Sequence, residues 1–487
     1  MNKQNNESQP PLEDVGSLDP ENWSEFRSIA HALLDNCLDR LESARELPWR
    51  PPSGEITQTE PLPLEGMHIN QLSEALTNEV MPYATGNTHP RFFGWVHGTG
   101  LPVGLLAEMV AATMNSNCGG RNHGAVHIER QVVEWCKQIF EWPESTGGIL
   151  TSGTSMATLL ALASARVKVL GKTVRKQGIQ DQANLTVYAA TGTHQCISKA
   201  LELMGAGADA LRLIPIDPNT GSMSIEHLSN QLKIDRESGQ LPWCIVGTAG
   251  SVNTGRFDQL SELADFCEEQ KIWLHIDGAF GAWIKLADKN WSHLATGIER
   301  ADSIAFDFHK WMYVQYDAAA VLVRDNQYLN AAFANRAAYL ESADEGLAGG
   351  EPWYCDQGIE LSRGFKALKV WSAIKTHGLT RIGQNISENC RQAALMGELI
   401  EQSNELELVR PVISNVVCFR VCLSTSDENL KATHEAIALE LQLNGTAVIS
   451  TTTVDDSSAL RAAIVNHRTT FEDIYTTVNA VIGQVNE

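Results

Sequence analysis

Lys310 follows a His in the run Asp307-Phe308-His309-Lys310-Trp311, directly after the apolar stretch Ser303-Ile304-Ala305-Phe306. An amine at that place is held at the end of a predicted strand. Upstream, His275-Ile276-Asp277-Gly278-Ala279-Phe280-Gly281 puts a carboxylate at the end of another predicted strand, followed by small residues. An amine and a carboxylate on neighbouring strand ends suit pyridoxal phosphate (PLP): the amine forms a Schiff base and the carboxylate holds the proton on the pyridine nitrogen. Each residue alone has a plainer reading, Lys310 as a surface lysine and Asp277 as a helix cap. It is their order on successive strand–helix units that points to chemistry.

Three further segments fall at predicted strand ends or helix starts. Gly153-Thr154-Ser155 opens an apolar helix running from Met156 to Leu170, and free N–H groups with two hydroxyls at a helix start suit a phosphate. His194 lies just after the predicted strand Leu185–Ala190, where an imidazole could stack on a pyridine ring. Thr248-Ala249-Gly250-Ser251 ends a strand with small residues and a hydroxyl, which permits close approach of a cofactor.

The elements that must position these groups alternate. Apolar runs at 185–190, 243–248, 272–276 and 303–306 are separated by helical patterns, including one capped by Phe257-Asp258. This alternation predicts an α/β domain built on a mostly parallel sheet buried on both faces, with ligands at the carboxyl ends of its strands. Residues 21–47 carry helical periodicity, Pro48 to Pro63 is proline-rich, and residues 326–360 read as an irregular, mobile loop. A helix at 365–376 and an αβ unit (432–443, 447–452, 461–466) predict a small C-terminal domain. The expected division is an N-terminal tail and helical segment over 1–85, a large cofactor-binding domain over 86–375 with a lid near 341–357, and a small domain over 376–487.

With 487 residues the chain is long enough for several compact units. A formal net charge of −22 without a basic stripe argues against nucleic acid and anionic membrane as partners. No apolar run is long enough to span a bilayer, and residues 1–22 are too polar for a secretory signal. Ten cysteines without a Cys-x-x-Cys pair predict reduced thiols in the cytoplasm.

Taken together, these motifs make the chain resemble the PLP-dependent group II amino-acid decarboxylases, which include the aromatic-L-amino-acid and glutamate decarboxylases. The resemblance covers about residues 80–470 and is carried by His89-Pro90-Arg91-Phe92-Phe93, Thr151-Ser152-Gly153-Thr154-Ser155, His194, Thr248-Ala249-Gly250-Ser251, Asp277-Gly278-Ala279, Asp307-Phe308-His309-Lys310-Trp311 and Leu460-Arg461. It implies a fold-type I PLP enzyme that works as a homodimer with its active site at the subunit interface. It assigns Lys310 to the Schiff base, Asp277 to the pyridine nitrogen, His194 to stacking on the ring and Ala279 to its opposite face. Thr154 and Ser155 match phosphate-binding positions, Ser251 a position near the cofactor, and His309 the family's His beside the Lys. The family's proton-donating Tyr, carried on a mobile loop, is matched to Tyr354. Its substrate pocket is matched to Trp95, His97, Asn115 and Asn117.

The chain departs from the family pattern at Asp307, where many members have Asn, at Met156, and through much of the lid. Trp95 keeps an aromatic wall while His97, Asn115 and Asn117 add polarity, so both aromatic and polar or acidic substrates are open. The expected reaction is decarboxylation of an L-amino acid to its amine and CO₂. The alternatives are an aldehyde synthase or another carbon–carbon lyase reaction on the same scaffold, a cofactor-free scaffold protein, or a nucleotide-binding α/β protein.

Overall fold

The structure, a computed structural model, describes the whole chain except residues 1–16, 53–58, 60, 180–183, 219, 336–342, 344, 351–352, 424–425 and 487. It divides into two compact units. One comprises Met1–Ser43 with Pro52–Ala84, and the other Ala44–Pro51 with Thr85–Glu487.

The smaller unit is helical. Helix α1 (Trp23–Glu42) starts where Asn22 Oδ1 accepts the N–H groups of Ser24 and Glu25, at 3.1 and 3.2 Å. These bonds satisfy two of the donors that a helix start leaves open. Helix α2 (Ile69–Ala75) is capped by His68 in a capping box with Gln71. Neither helix has a buried residue, and Trp23, Leu38 and Leu72 are exposed.

Among the described residues of the larger unit, two helices precede the main sheet: α3 (Pro102–Met114) and α4 (Gly124–Ile139). The sheet itself has seven strands: β1 (Gly147–Thr151), β2 (Leu185–Ala190), β3 (Leu211–Ile214), β4 (Leu241–Thr248), β5 (Trp273–Asp277), β6 (Ser303–Asp307) and β7 (Ala319–Val323). Their order is β1-β7-β6-β5-β4-β2-β3. Strands β6, β5, β4, β2 and β3 pair in parallel, and β7 runs antiparallel between β1 and β6. Every residue of β1, β2, β5, β6 and β7 is buried, as a sheet covered on both faces requires.

A second, four-stranded sheet forms the small C-terminal domain from β8 (Leu406–Leu408), β9 (Val416–Val421), β10 (Ser450–Val454) and β11 (Ser457–Ala463), in the order β10-β11-β9-β8. The long helix Ala367–Glu401 precedes it and is broken at Gly378, whose φ of 69° leaves the helical region.

Two local expectations give way. Asp258 does not cap a helix: the helix Leu260–Gln270 starts after Gln259 without a side-chain cap. Buried Asp258 instead accepts the N–H groups of Met223 and Thr248, both at 2.7 Å, and so ties the end of β4 to the 215–223 loop. The start of the supposed mobile loop is also ordered. Asp325 caps a helix over Asn326–Phe333 whose Leu329, Ala331 and Ala332 are buried.

One ion pair locks the front of the large domain. Arg363 and Glu129, both almost wholly buried, meet at 2.6 Å (Nη2–Oε1) and 3.1 Å (Nη1–Oε2). Arg363 also donates to the carbonyls of Leu150 and Cys118, and Glu129 Oε1 accepts the Leu150 N–H. Removing one partner strands a buried charge. Glu129→Ala is therefore expected to lower the unfolding free energy by about 3–5 kcal/mol, measured by chemical denaturation.

Candidate active site

The carboxyl ends of β2, β4, β5 and β6 converge on a cavity of about 470 Å³, a size usual for small-molecule sites. The register explains the gathering. Thr248 at the end of β4 pairs with Asp277 at the end of β5, and Asp307 N–H donates to the carbonyl of Ala279 at 2.9 Å.

Asp307 is the hub of the floor. Its Oδ1 accepts the N–H of Thr154 at 2.7 Å, and its Oδ2 stands 2.8 Å from Lys310 Nζ. The strand end that carries Lys310 is thereby tied to the start of the helix α5 (Thr154–Leu170). The lysine side chain is a quarter exposed toward the cavity while Asp307 is buried. His309 Nδ1 accepts the Ala318 N–H at 3.1 Å, and the imidazole packs on Tyr316 with ring centroids 4.3 Å apart. Burial holds the His309 pKa below its ordinary value, which favours a neutral ring. Gly98 is required by close approach, because a Cβ there would overlap the carbonyl oxygens of His309 and Lys310.

Asp277 is buried at the end of β5, and burial raises its pKa, with Lys310 opposing the shift. Its Oδ1 accepts the Ala279 N–H at 3.2 Å, and Cys196 Sγ lies 4.0 Å from its Oδ2. A carboxylate so placed is stabilised by a cation brought to it. His194, exposed at the rim, accepts the Cys196 N–H on Nδ1 at 3.2 Å. A neutral imidazole in that arrangement carries its proton on Nε2.

Helix α5 opens without a side-chain cap, and the buried Thr154 Oγ1 has no hydrogen-bond partner among the described residues. Thr248 Oγ1, on the same cavity, is likewise buried and unpartnered. Orphaned buried hydroxyls are costly unless a ligand meets them.

Residues 53–422 match the pyridoxal-dependent decarboxylase conserved domain. The chain belongs to the pyridoxal-dependent decarboxylase family. An aromatic-L-amino-acid decarboxylase of Bacillus atrophaeus is 31% identical over 458 residues, 92% of this chain and 93% of the relative. A phenylacetaldehyde synthase of Petunia hybrida is 27% identical over 419 residues, 83% of this chain and 81% of the relative. Among solved structures, Oryza sativa TDC with PLP and tryptamine superposes with a TM-score of 0.87 at 23% identity, covering 96% of this chain and 99% of that one. The likeness confirms the fold-type I architecture, with its large mostly parallel sheet, helical N-terminal segment and small C-terminal sheet domain. The protein is a PLP-dependent carboxy-lyase acting on an amino acid.

The residues of this decarboxylase fit the cofactor. The orphaned Thr154 hydroxyl at the uncapped start of α5 suits a phosphate, and buried Asp277 suits a protonated pyridine nitrogen. Lys310 lines the same cavity, as do Ser155, Ser251 and Ala279.

Trp95 and His97 line the same cavity from the loop after Phe93. Their rings stack at 5.6 Å, and His97 stacks on Phe92 at 5.8 Å and meets Tyr316 edge-on at 6.1 Å. Trp95, His97 and Tyr316 form one aromatic wall of the cavity, and Phe92 packs against the first two.

Three expected site residues lie elsewhere. Asn115 terminates α3 in a left-handed conformation, and Asn117 Oδ1 accepts the N–H groups of Gly119 and Arg363 at 2.9 and 3.0 Å. Both asparagines shape a turn and do not line the cavity of their own chain. Tyr354 does not sit on a lid over the cavity. It is buried beneath the Arg363 guanidinium, 5.2 Å from ring centroid to Cζ, and packs among apolar residues of the large domain. Residues 341, 342, 344, 351 and 352 of the expected lid fall outside the described residues.

The roles of Asp307, Tyr316 and Cys196 are not legible in the sequence. Asp307 was visible as a departure from the family's Asn. What it does depends on the start of α5, far away in sequence. Tyr316 sits only six residues after Lys310, but the turn that brings it over His309 carries no local signature.

Proposed function

We propose that the protein decarboxylates an aromatic L-amino acid, and that Lys310 is the residue that holds the cofactor. The aromatic wall of Trp95, His97 and Tyr316, with Phe92 packed against the first two, carries this reading. No arginine lines the cavity among the described residues, and Lys310 is its single lysine. The side-chain carboxylate of a glutamate-like substrate would therefore be left without a cationic partner. The aromatic-L-amino-acid decarboxylase of Bacillus atrophaeus, the relative with the highest identity quoted above, points the same way.

Pyridoxal phosphate, when bound, supplies an electron sink for the bonding pair left behind as CO₂ departs. The other roles fall to the chain. Thr154 and Ser155 would hold the phosphate, Asp277 would keep a proton on the pyridine nitrogen, and Ala279 and His194 would contact the ring. Asp307 holds the Lys310 amine in place between turnovers. Trp95 and His97 seat the aromatic side chain of the substrate and exclude water from the reacting carbon. His194, with its proton on Nε2, is placed to pass a proton at the cavity rim.

We read the working form as a homodimer. On α3, Leu106, Met109, Val110 and Met114 are exposed along one helical face, and α1 and α2 have no buried residue. Light scattering in solution is expected to give twice the chain mass. All ten cysteines are free, which fits a reducing compartment.

A panel of Tyr, Trp, DOPA, Glu, Asp and diaminobutyrate with mass analysis of products tests the substrate class. Amine from the aromatic members is expected; turnover confined to the acidic members would reject the reading. The aldehyde-forming alternative is kept by the phenylacetaldehyde synthases among the relatives, and the same panel measures it through oxygen uptake and peroxide. Because Tyr354 packs in the core, Tyr354→Phe is expected to leave the amine-to-aldehyde ratio unchanged.

A further inference from the structure

Arg461 lies on β11 in the C-terminal domain and is 3% exposed. No carboxylate pairs with it among the described residues. Its Nη1 donates to the Trp95 carbonyl at 2.9 Å and reaches Ser450 Oγ at 3.4 Å, while Nε and Nη2 have no partner among the described residues. Burial brings its pKa down to about 10, which still leaves it charged at neutral pH. A buried guanidinium with so few partners is expensive to keep, so its one good bond merits a reason.

Trp95, the acceptor of that bond, has φ = 50°. A bulky side chain rarely takes this left-handed conformation, and the surroundings must hold it there. The adjoining backbone is already tied to the C-terminal domain, to Ala463 of β11 and to Val448 just before β10. Phe93 N–H donates to the Val448 carbonyl at 2.7 Å, Ala463 N–H donates to the Phe93 carbonyl at 2.8 Å, and Gly94 lets the loop pass against Val448. Past Gly94 the chain leaves the sheet, and the guanidinium makes the next tie. The left-handed turn at residue 95 sets the indole on His97 at the cavity wall.

We propose that Arg461 is a positioning residue for substrate selection: by clamping the Trp95 carbonyl it holds residue 95 left-handed and thereby fixes the aromatic wall. The inference deepens the aromatic-substrate reading and rests on it. It also gives the C-terminal domain a part in specificity, because a side chain of its central sheet sets a wall of a cavity built mainly from the large domain.

Four variants test it: Arg461→Met, Arg461→Lys, Trp95→Gly and the double variant Trp95→Gly/Arg461→Met. They are assayed with the wild type's best aromatic substrate, and amide hydrogen exchange is followed on the PLP-loaded protein. Arg461→Met is expected to raise KM about tenfold with kcat within about twofold, the pattern of lost uniform binding. Exchange over residues 93–98 should accelerate while the large sheet stays protected, and Arg461→Lys should be intermediate. Trp95→Gly removes both the ring and the steric objection to a positive φ. In that background Arg461→Met should have no further effect on KM. An equal KM increase in both backgrounds would overturn the proposal, because the guanidinium would then act on the substrate directly. Unchanged exchange at 93–98 would overturn it as well. If Arg461→Met does not fold, Arg461→Lys carries the same comparisons. A wild type that decarboxylates no aromatic amino acid defeats the functional reading instead, and the exchange comparison still decides whether Arg461 holds the loop.

Discussion

Lys310→Ala is expected to reduce CO₂ release by about four orders of magnitude or more and to leave the PLP-treated protein without its yellow colour. The size of the effect follows from the site. Lys310 is the single lysine lining the cavity among the described residues, and its Nζ is fixed 2.8 Å from the buried carboxylate of Asp307. No neighbouring amine can replace it without moving a strand end. Some loss of stability is expected as well, because Lys310 is the cation beside buried Asp307 and its removal leaves that carboxylate with the Thr154 N–H. A yellow and active variant would show that the cofactor is held elsewhere.

Asp277→Asn is expected to lower kcat by about two to three orders of magnitude and to weaken retention of PLP on dialysis. The carboxylate is buried, and burial raises its pKa, so it gains from a cationic partner as a protonated pyridine nitrogen would provide. Asparagine keeps the shape and the bond from the Ala279 N–H but cannot supply the charge. The size of the loss separates an electrostatic role from a structural one. A variant that keeps PLP and loses less than about threefold in kcat would assign Asp277 to scaffolding alone.

Much of this site could be read from the sequence because its parts lie at the ends of short apolar runs. Asp277 and Asp307 end buried strands of five residues, Lys310 lies three residues past the second, and Thr154 opens a helix shortly after another. Parallel strands with both faces covered leave an unmistakable pattern, and their carboxyl ends then converge by topology alone. β7 was harder to see. It runs antiparallel between β1 and β6, and its run Ala-Ala-Val-Leu-Val carries nothing that reveals direction.

The differences in placement have a common origin in contacts between distant segments. Asp258 resembles a helix cap locally, yet it binds backbone at Met223 and Thr248. Tyr354 has the residue type of a proton donor, yet the buried Arg363–Glu129 pair and the core around it decide where it goes. Asn115 and Asn117 look like pocket polarity, but both meet backbone needs of the turn after α3. The Asp307 hub and the Arg461 clamp each join segments more than one hundred and fifty residues apart, at 153 and 366 positions of separation, and no local pattern encodes them.

The most direct test of the central claim is borohydride reduction of the PLP-loaded protein followed by peptide mass mapping. The cofactor's mass is expected on one peptide, the one containing Lys310, and nowhere else. Its appearance on another lysine, or no covalent label from a yellow protein, would contradict the account.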